Sequence, residues 1–149
     1  MLRPALTVAA LALATCAGCG GDGASTPAGA VRAYNDAVAD GNGDKACSQL
    51  DPSAQKELQQ STQGQARGSC KQVIDLLSAF YDDATKERLK KADVAAASTG
   101  DIARARFKSP VALVGGPEQD QTYELRREGG DWKITSLGLS TADPGTVGP

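Results

Sequence analysis

Histidine is absent from all 149 residues. With it go the commonest general base, the commonest metal ligand and every Ser–His or Cys–His nucleophile pair, so most hydrolase chemistries are excluded. Aromatic residues are scarce at 4%: one tryptophan, three tyrosines and two phenylalanines. Much of the apolar content is alanine, so the core is expected to be built of small side chains, with each large one mattering individually. An excess of positive charge is lacking too. Sixteen basic residues face 18 acidic ones, and this balance gives no electrostatic reason to expect nucleic acid as a partner. No internal repeat is visible, nothing calls for a cofactor or a metal, and the length suits one domain.

The N-terminus reads as an address. Met1-Leu2-Arg3 is a short positive stretch, and residues 5–14 form an apolar run of ten. That is the length of a signal-peptide core and too short to span a bilayer. Leu13-Ala14-Thr15-Cys16-Ala17-Gly18-Cys19 follows and resembles the lipobox of bacterial lipoproteins, in which a small residue precedes a cysteine that is diacylated. Cys16 and Cys19 compete for the role. Thr15 is unfavourable before Cys16, whereas Ala17-Gly18 suits Cys19. Cleavage before Cys19 removes Cys16, modifies Cys19 and leaves Cys47 and Cys70 to pair in an oxidising compartment. The alternative is ordinary secretion, with cleavage after Ala14. On the favoured reading, residues 1–18 are a signal peptide and residues 19–25 a glycine-rich tether. The remaining 131 residues carry a net charge of −3 once Arg3 is lost with the leader. Two acyl chains make a stable anchor, so the protein is expected at the extracytoplasmic face of the cell membrane.

Helical signals come first along the mature chain. Thr26-Pro27 is a cap followed by a first-turn proline, with Val31, Tyr34 and Val38 at helical spacing and Gly41 closing the helix. A short helix is predicted over 44–50, and Asp51-Pro52 opens a third through about Gln60. Residues 59–68 read as a surface loop. Ser69 with Gln72 makes a capping box for a helix whose stripe is Cys70, Val73, Ile74, Leu77 and Phe80/Tyr81. After Lys86 the period changes to two. Val94 and Ala96 alternate with polar or smaller neighbours. Ala103, Ala105 and Phe107 oppose Ile102, Arg104, Arg106 and Lys108, and residues 111–114 continue as a short strand or edge. Tyr123 and Leu125 alternate in the next strand, and Glu128-Gly129-Gly130-Asp131 is a hairpin signal. Trp132, Ile134 and Ser136 oppose Lys133, Thr135 and Leu137 in the last strand. Residues 140–149 read as a disordered tail. Helices first and an antiparallel meander second make an α+β domain over 26–139, with N-terminal helices packed on one face of the sheet.

The opening helix Ala30-Val31-Arg32-Ala33-Tyr34-Asn35-Asp36-Ala37, the strand Gly100-Asp101-Ile102-Ala103-Arg104-Ala105 and the closing residues Tyr123 to Ile134 occur in this order. Together they resemble the NTF2-like (cystatin-like) superfamily, especially its small bacterial lipoproteins. The resemblance implies a strongly curved antiparallel sheet wrapped round the helices as a cone with an internal cavity. It also implies a function class only loosely, since that cone hosts enzymes, ligand binders and adaptors.

Three constellations carry chemistry. Cys47 and Cys70 lack metal or thioredoxin spacing, and a structural disulfide tying the second helix to the start of the fourth is expected. Phe107, Tyr123 and Trp132, with Tyr34, are candidate pocket residues, with packed core the first reading of each. Isomerases of the resembled superfamily use an aspartate base with tyrosine and a protonated aspartic acid as oxyanion donors. Tyr34 falls on the first helix as one such tyrosine would, but no base aspartate aligns, and Asp93 is flanked by lysines and alanines. Arg104, Arg106 and Lys108, with Arg126 and Lys133, form a cationic strand face that suits anionic headgroups or a solvated surface. The leading expectation is a lipid-anchored, non-enzymatic module binding a protein or a small apolar ligand. An isomerase- or dehydratase-like enzyme using Tyr and Asp is the alternative.

Overall fold

A computed structural model describes residues 24–62, 68–110 and 118–139. Among these described residues five helices precede four strands: α1 (Pro27–Ala39), α2 (Gly43–Ser48), α3 (Pro52–Ser61), α4 (Cys70–Phe80), α5 (Asp83–Lys90), β1 (Ala95–Thr99), β2 (Ile102–Ser109), β3 (Gln119–Glu128) and β4 (Asp131–Ser136). The expected signal peptide, Cys16 and Cys19, most of the tether, the strand at 111–114 and the tail at 140–149 lie outside the described residues.

The helix starts follow from their caps. The Thr26 side chain accepts from the Gly29 amide at 3.0 Å, Asp51 from Ala54 at 2.9 Å, and Ser69 and Gln72 complete a reciprocal capping box. α1 buries most of its circumference, Ala30, Val31, Tyr34, Asn35 and Val38 among others, because it touches α2, α4, α5 and three of the strands. Alanine on all sides lets so many neighbours approach. α5 is missing from the sequence expectation, which ran from α4 almost directly into strands. Its signal was the Asp82 cap, which accepts from the Thr85 amide at 2.7 Å, with Leu89 as its one buried residue. A helix with a single apolar anchor has no periodic stripe to detect.

The strands form one antiparallel meander in the order β1-β2-β3-β4. β2 alternates strictly, with Ala103, Ala105, Phe107 and Ser109 buried and the residues between them exposed. Gly129 and Gly130 both have positive φ, 59° and 93°, as the tight β3–β4 hairpin requires. β4 is not an open edge. Trp132 donates its amide to Ala24 O at 2.8 Å, Ile134 donates to Gln49 O at 2.9 Å, and Ile134 O accepts from the Asp51 amide at 2.9 Å. β1, the opposite edge, is exposed along all five residues.

This sheet overturns the expected cone. It is open and not strongly curved, and the helices pack on it instead of being wrapped by it. The likeness to the NTF2-like superfamily fails with that curvature. Alternation and a Gly-Gly hairpin are common to any antiparallel meander and carry no information on curvature, which bulges and strand number set. Four strands about 4.8 Å apart make a ribbon too narrow to curl round five helices.

One bulge does occur. Glu124 pairs with Ser136 but Leu125 with Ile134, so Thr135 is the extra residue and the face parity reverses after it. Leu137, expected to point outward, is 1% exposed. Glu57 on α3 holds this irregular stretch. Its carboxylate accepts from Ser136 Oγ at 3.1 Å and from the Leu137 amide at 2.9 Å, and also from the Leu139 amide.

Cys47 and Cys70 form a disulfide with Cα atoms 6.1 Å apart, joining α2 to the first residue of α4. Closing a loop of 23 residues stabilises by about 3 kcal/mol in the chain-entropy model. Cys47→Ser should therefore lower the melting temperature by about 10 °C. Unreduced exported protein should weigh two hydrogens less than reduced protein, and two free thiols there would refute the pairing. Glu57→Ala orphans two backbone amides, and we expect a loss of about 2–3 kcal/mol, read as a lower denaturation midpoint at unchanged slope. A change within about 0.5 kcal/mol, usual for a surface acid, would count against the clamp.

Candidate functional site

Where α1 crosses the sheet, the side chains leave a cavity of about 40 Å³. α1 supplies Tyr34, Asn35 and Val38, α3 supplies Leu58, and the end of α4 supplies Leu77 and Tyr81. Leu89 comes from α5, Ser109 from the end of β2, Gln121 and Tyr123 from β3, and Leu137 and Leu139 from the segment after β4. Neighbouring α1 residues can all line it because the helix is buried nearly all round. The bulge at Thr135 turns Leu137 inward, and Glu57 keeps Leu137 and Leu139 in the wall.

Three tyrosines dominate the polar lining. The Tyr123 ring stands edge-on to Tyr34 at 6.0 Å and to Phe107 at 5.0 Å between centroids. Burial pushes the Tyr34 phenol up, helped by Tyr81. Burial also raises Tyr81. Tyr123 is raised well above the ordinary phenol value by burial first, then by Tyr34, Tyr81 and Glu57. All three are neutral hydroxyls at physiological pH. Asn35 is 2% exposed, and its Nδ2 has no hydrogen-bond partner among the described residues.

The four candidate pocket residues separate. Tyr34 and Tyr123 line the cavity. Phe107, 4% exposed, supports Tyr123 from behind. Trp132, 1% exposed, belongs to the core elsewhere, with the Arg127 guanidinium 4.9 Å from its ring centroid. Asn35, Tyr81, Gln121 and Leu137 were not anticipated. Tyr81 was counted only as the end of an apolar stripe, and Leu137 was hidden by the bulge. Asn35 adjoins Tyr34 in sequence, and an alanine-rich helix was the only hint that its side would be buried as well.

The cationic face lies on the outer side of the sheet. Arg104 pairs with Glu124 across the β2–β3 register at 3.2 Å, and Lys133 donates to Ser48 O at 2.6 Å. Asp93 is exposed and does not line the cavity. Among the described residues no group of three or more Cys, Asp or Glu is placed to hold a metal ion, and no helix is long and apolar enough to cross a membrane.

The raised phenols make a testable statement, since these three are the only tyrosines. A folded pKa above the unfolded value of about 10 means that the unfolded chain sheds protons the fold retains. The contribution to stability is full below about pH 10 and is lost as pH rises beyond it. The ultraviolet tyrosinate signal should appear only above pH 10 and together with unfolding. Tyr34 or Tyr123 titrating normally in folded protein would contradict their burial at the cavity.

No family model and no curated protein matches the chain. Among solved structures it is similar to a Xanthomonas campestris chain named as a calcium/calmodulin dependent protein kinase II association domain, at 18% identity over 69% of this chain and 76% of that one, with a TM-score of 0.36. A likeness at that TM-score carries no argument about fold or function.

Proposed function

We propose that the protein is a membrane-anchored extracytoplasmic lipoprotein, held through Cys19, whose domain is a non-enzymatic module that binds a small, largely apolar ligand. The cavity carries the binding half of this reading. Among the described residues its lining is leucine, valine and neutral polar groups, with no Asp, Glu, Lys or Arg. General acid–base chemistry needs a titratable group within hydrogen-bond reach of the substrate and poised near the working pH. The tyrosines here are shifted the other way, and Glu57, the carboxylate whose charge acts on Tyr123, is engaged by backbone amides. The isomerase alternative also loses its basis with the superfamily resemblance on which it rested.

The anchoring half is supported by the leader and by cysteine parity. The disulfide uses Cys47 and Cys70, and cleavage before Cys19 then leaves every remaining cysteine with a partner or an acyl chain. In a host with lipoprotein maturation, the protein should fractionate with membranes, and Cys19→Ser should release it or stall it uncleaved. Processing and membrane retention that survive Cys19→Ser but not Cys16→Ser would move the anchor to Cys16. Release of the wild type into the medium would refute anchoring altogether.

A further inference from the structure

We infer that the cavity takes a small neutral molecule that presents a carbonyl-type hydrogen-bond acceptor on an otherwise apolar body of about six heavy atoms. This rests on the binding-module reading and adds the chemistry by which the ligand is recognised.

Among the polar residues that line the cavity, one holds a buried donor that the fold leaves unmet. Asn35 Nδ2 is buried without a partner, and an amide nitrogen can only donate. The Tyr34, Tyr81 and Tyr123 hydroxyls, which line the same cavity, can each donate as well as accept. A buried donor left unmade is costly, whereas one met by an acceptor is not. An oxygen with two lone pairs can accept from the Asn35 amide and from a tyrosine hydroxyl at once.

The charge of the ligand follows from the walls. Among the described residues no lining residue is cationic, so a carboxylate or phosphate would enter without a counter-charge from them, at a large desolvation cost. The burial that raises the Tyr34 and Tyr123 phenols acts against any anion in the same place. A neutral carbonyl meets neither penalty. Size is set by the volume. One water occupies roughly 10–15 Å³ on this measure and about 30 Å³ of liquid, so about 40 Å³ corresponds to about three waters, or one five-membered ring.

The experiment uses the full chain, labelled with nitrogen-15, and two probes of the same shape. Cyclopentanone carries the acceptor; methylenecyclopentane replaces its oxygen with carbon. Both should perturb resonances of cavity residues. Cyclopentanone should bind about tenfold more tightly and should selectively shift the Asn35 side-chain amide. Asn35→Leu should abolish the preference while keeping methylenecyclopentane binding. Tyr34→Phe and Tyr123→Phe, which remove no bulk, provide the same test should Asn35→Leu fail to fold. Equal affinity of the two probes for the wild type overturns the acceptor inference and leaves the binding module standing. Binding of neither probe overturns both. A ketone preference that persists in Asn35→Leu and in both tyrosine variants overturns the assignment to these donors.

Discussion

The architecture turns on the two hydrogen bonds that Ile134 makes away from its own sheet. In an antiparallel pair, alternate residues direct their backbone groups outward from the partner strand. Ile134 is such a residue. It donates to Gln49 O and accepts from the Asp51 amide, while its side chain is fully buried at 0%. The edge of the sheet is thereby stitched to the junction between α2 and α3. The same junction carries the Asp51 cap of α3, and Ser53 Oγ donates to Thr135 O at 2.8 Å. The exposed backbone that makes an edge strand prone to pairing with other chains is consumed within the molecule. One turn later Glu57 takes over, so α3 grips the sheet through β4 and the wall beyond it.

The cavity is one place where local consistency breaks; the buried Gln49 Oε1, outside it, is another. Around it the core is ordinary: T-shaped contacts of Tyr123 with Tyr34 and Phe107, each worth about 0.5–1.5 kcal/mol beyond burial, closed by leucines. Inside that shell sits Asn35, whose orphaned Nδ2 costs about 1–3 kcal/mol. Leucine there would fill similar space without the penalty. Sites that give up stability without structural return are where function is expected. The residue whose donor finds no partner within the fold is therefore the one assigned to the ligand.

How much of this was legible follows from what each signal encodes. Capping is local chemistry, so Thr26-Pro27, Asp51-Pro52 and Ser69 with Gln72 marked three helix starts in the sequence, and period-two alternation marked the buried face of β2. The bulge was not legible, because Thr135 looks like any other strand residue and its effect depends on pairing with Glu124. Curvature was not legible either, which is why a string of degenerate pieces pointed to a cone that the open sheet does not form. The site was half visible. Tyr34 and Tyr123 stood out as rare aromatics on apolar faces, while Trp132, equally rare, belongs to the core. Rarity selects for burial; it does not say which buried residues leave a gap between them.

The cysteines connect this fold to the compartment proposed for it. α2 spans six residues, far below the length at which a helix persists alone, and its own buried residues are Gly43 and Ala46. A Cβ on Gly43 would lie 2.7 Å from Lys71 O, so α2 and α4 are in near backbone contact with almost no apolar surface to hold them there. The Cys47–Cys70 bond supplies what the interface lacks. Such a bond persists outside the cytosol and is rare within it. On the proposed reading, export would be coupled to the corner on which the α2–α3 junction is built: the leader that would place Cys19 at the membrane would also deliver Cys47 and Cys70 to the conditions under which α2 can stay in place and Gln49 can receive Ile134.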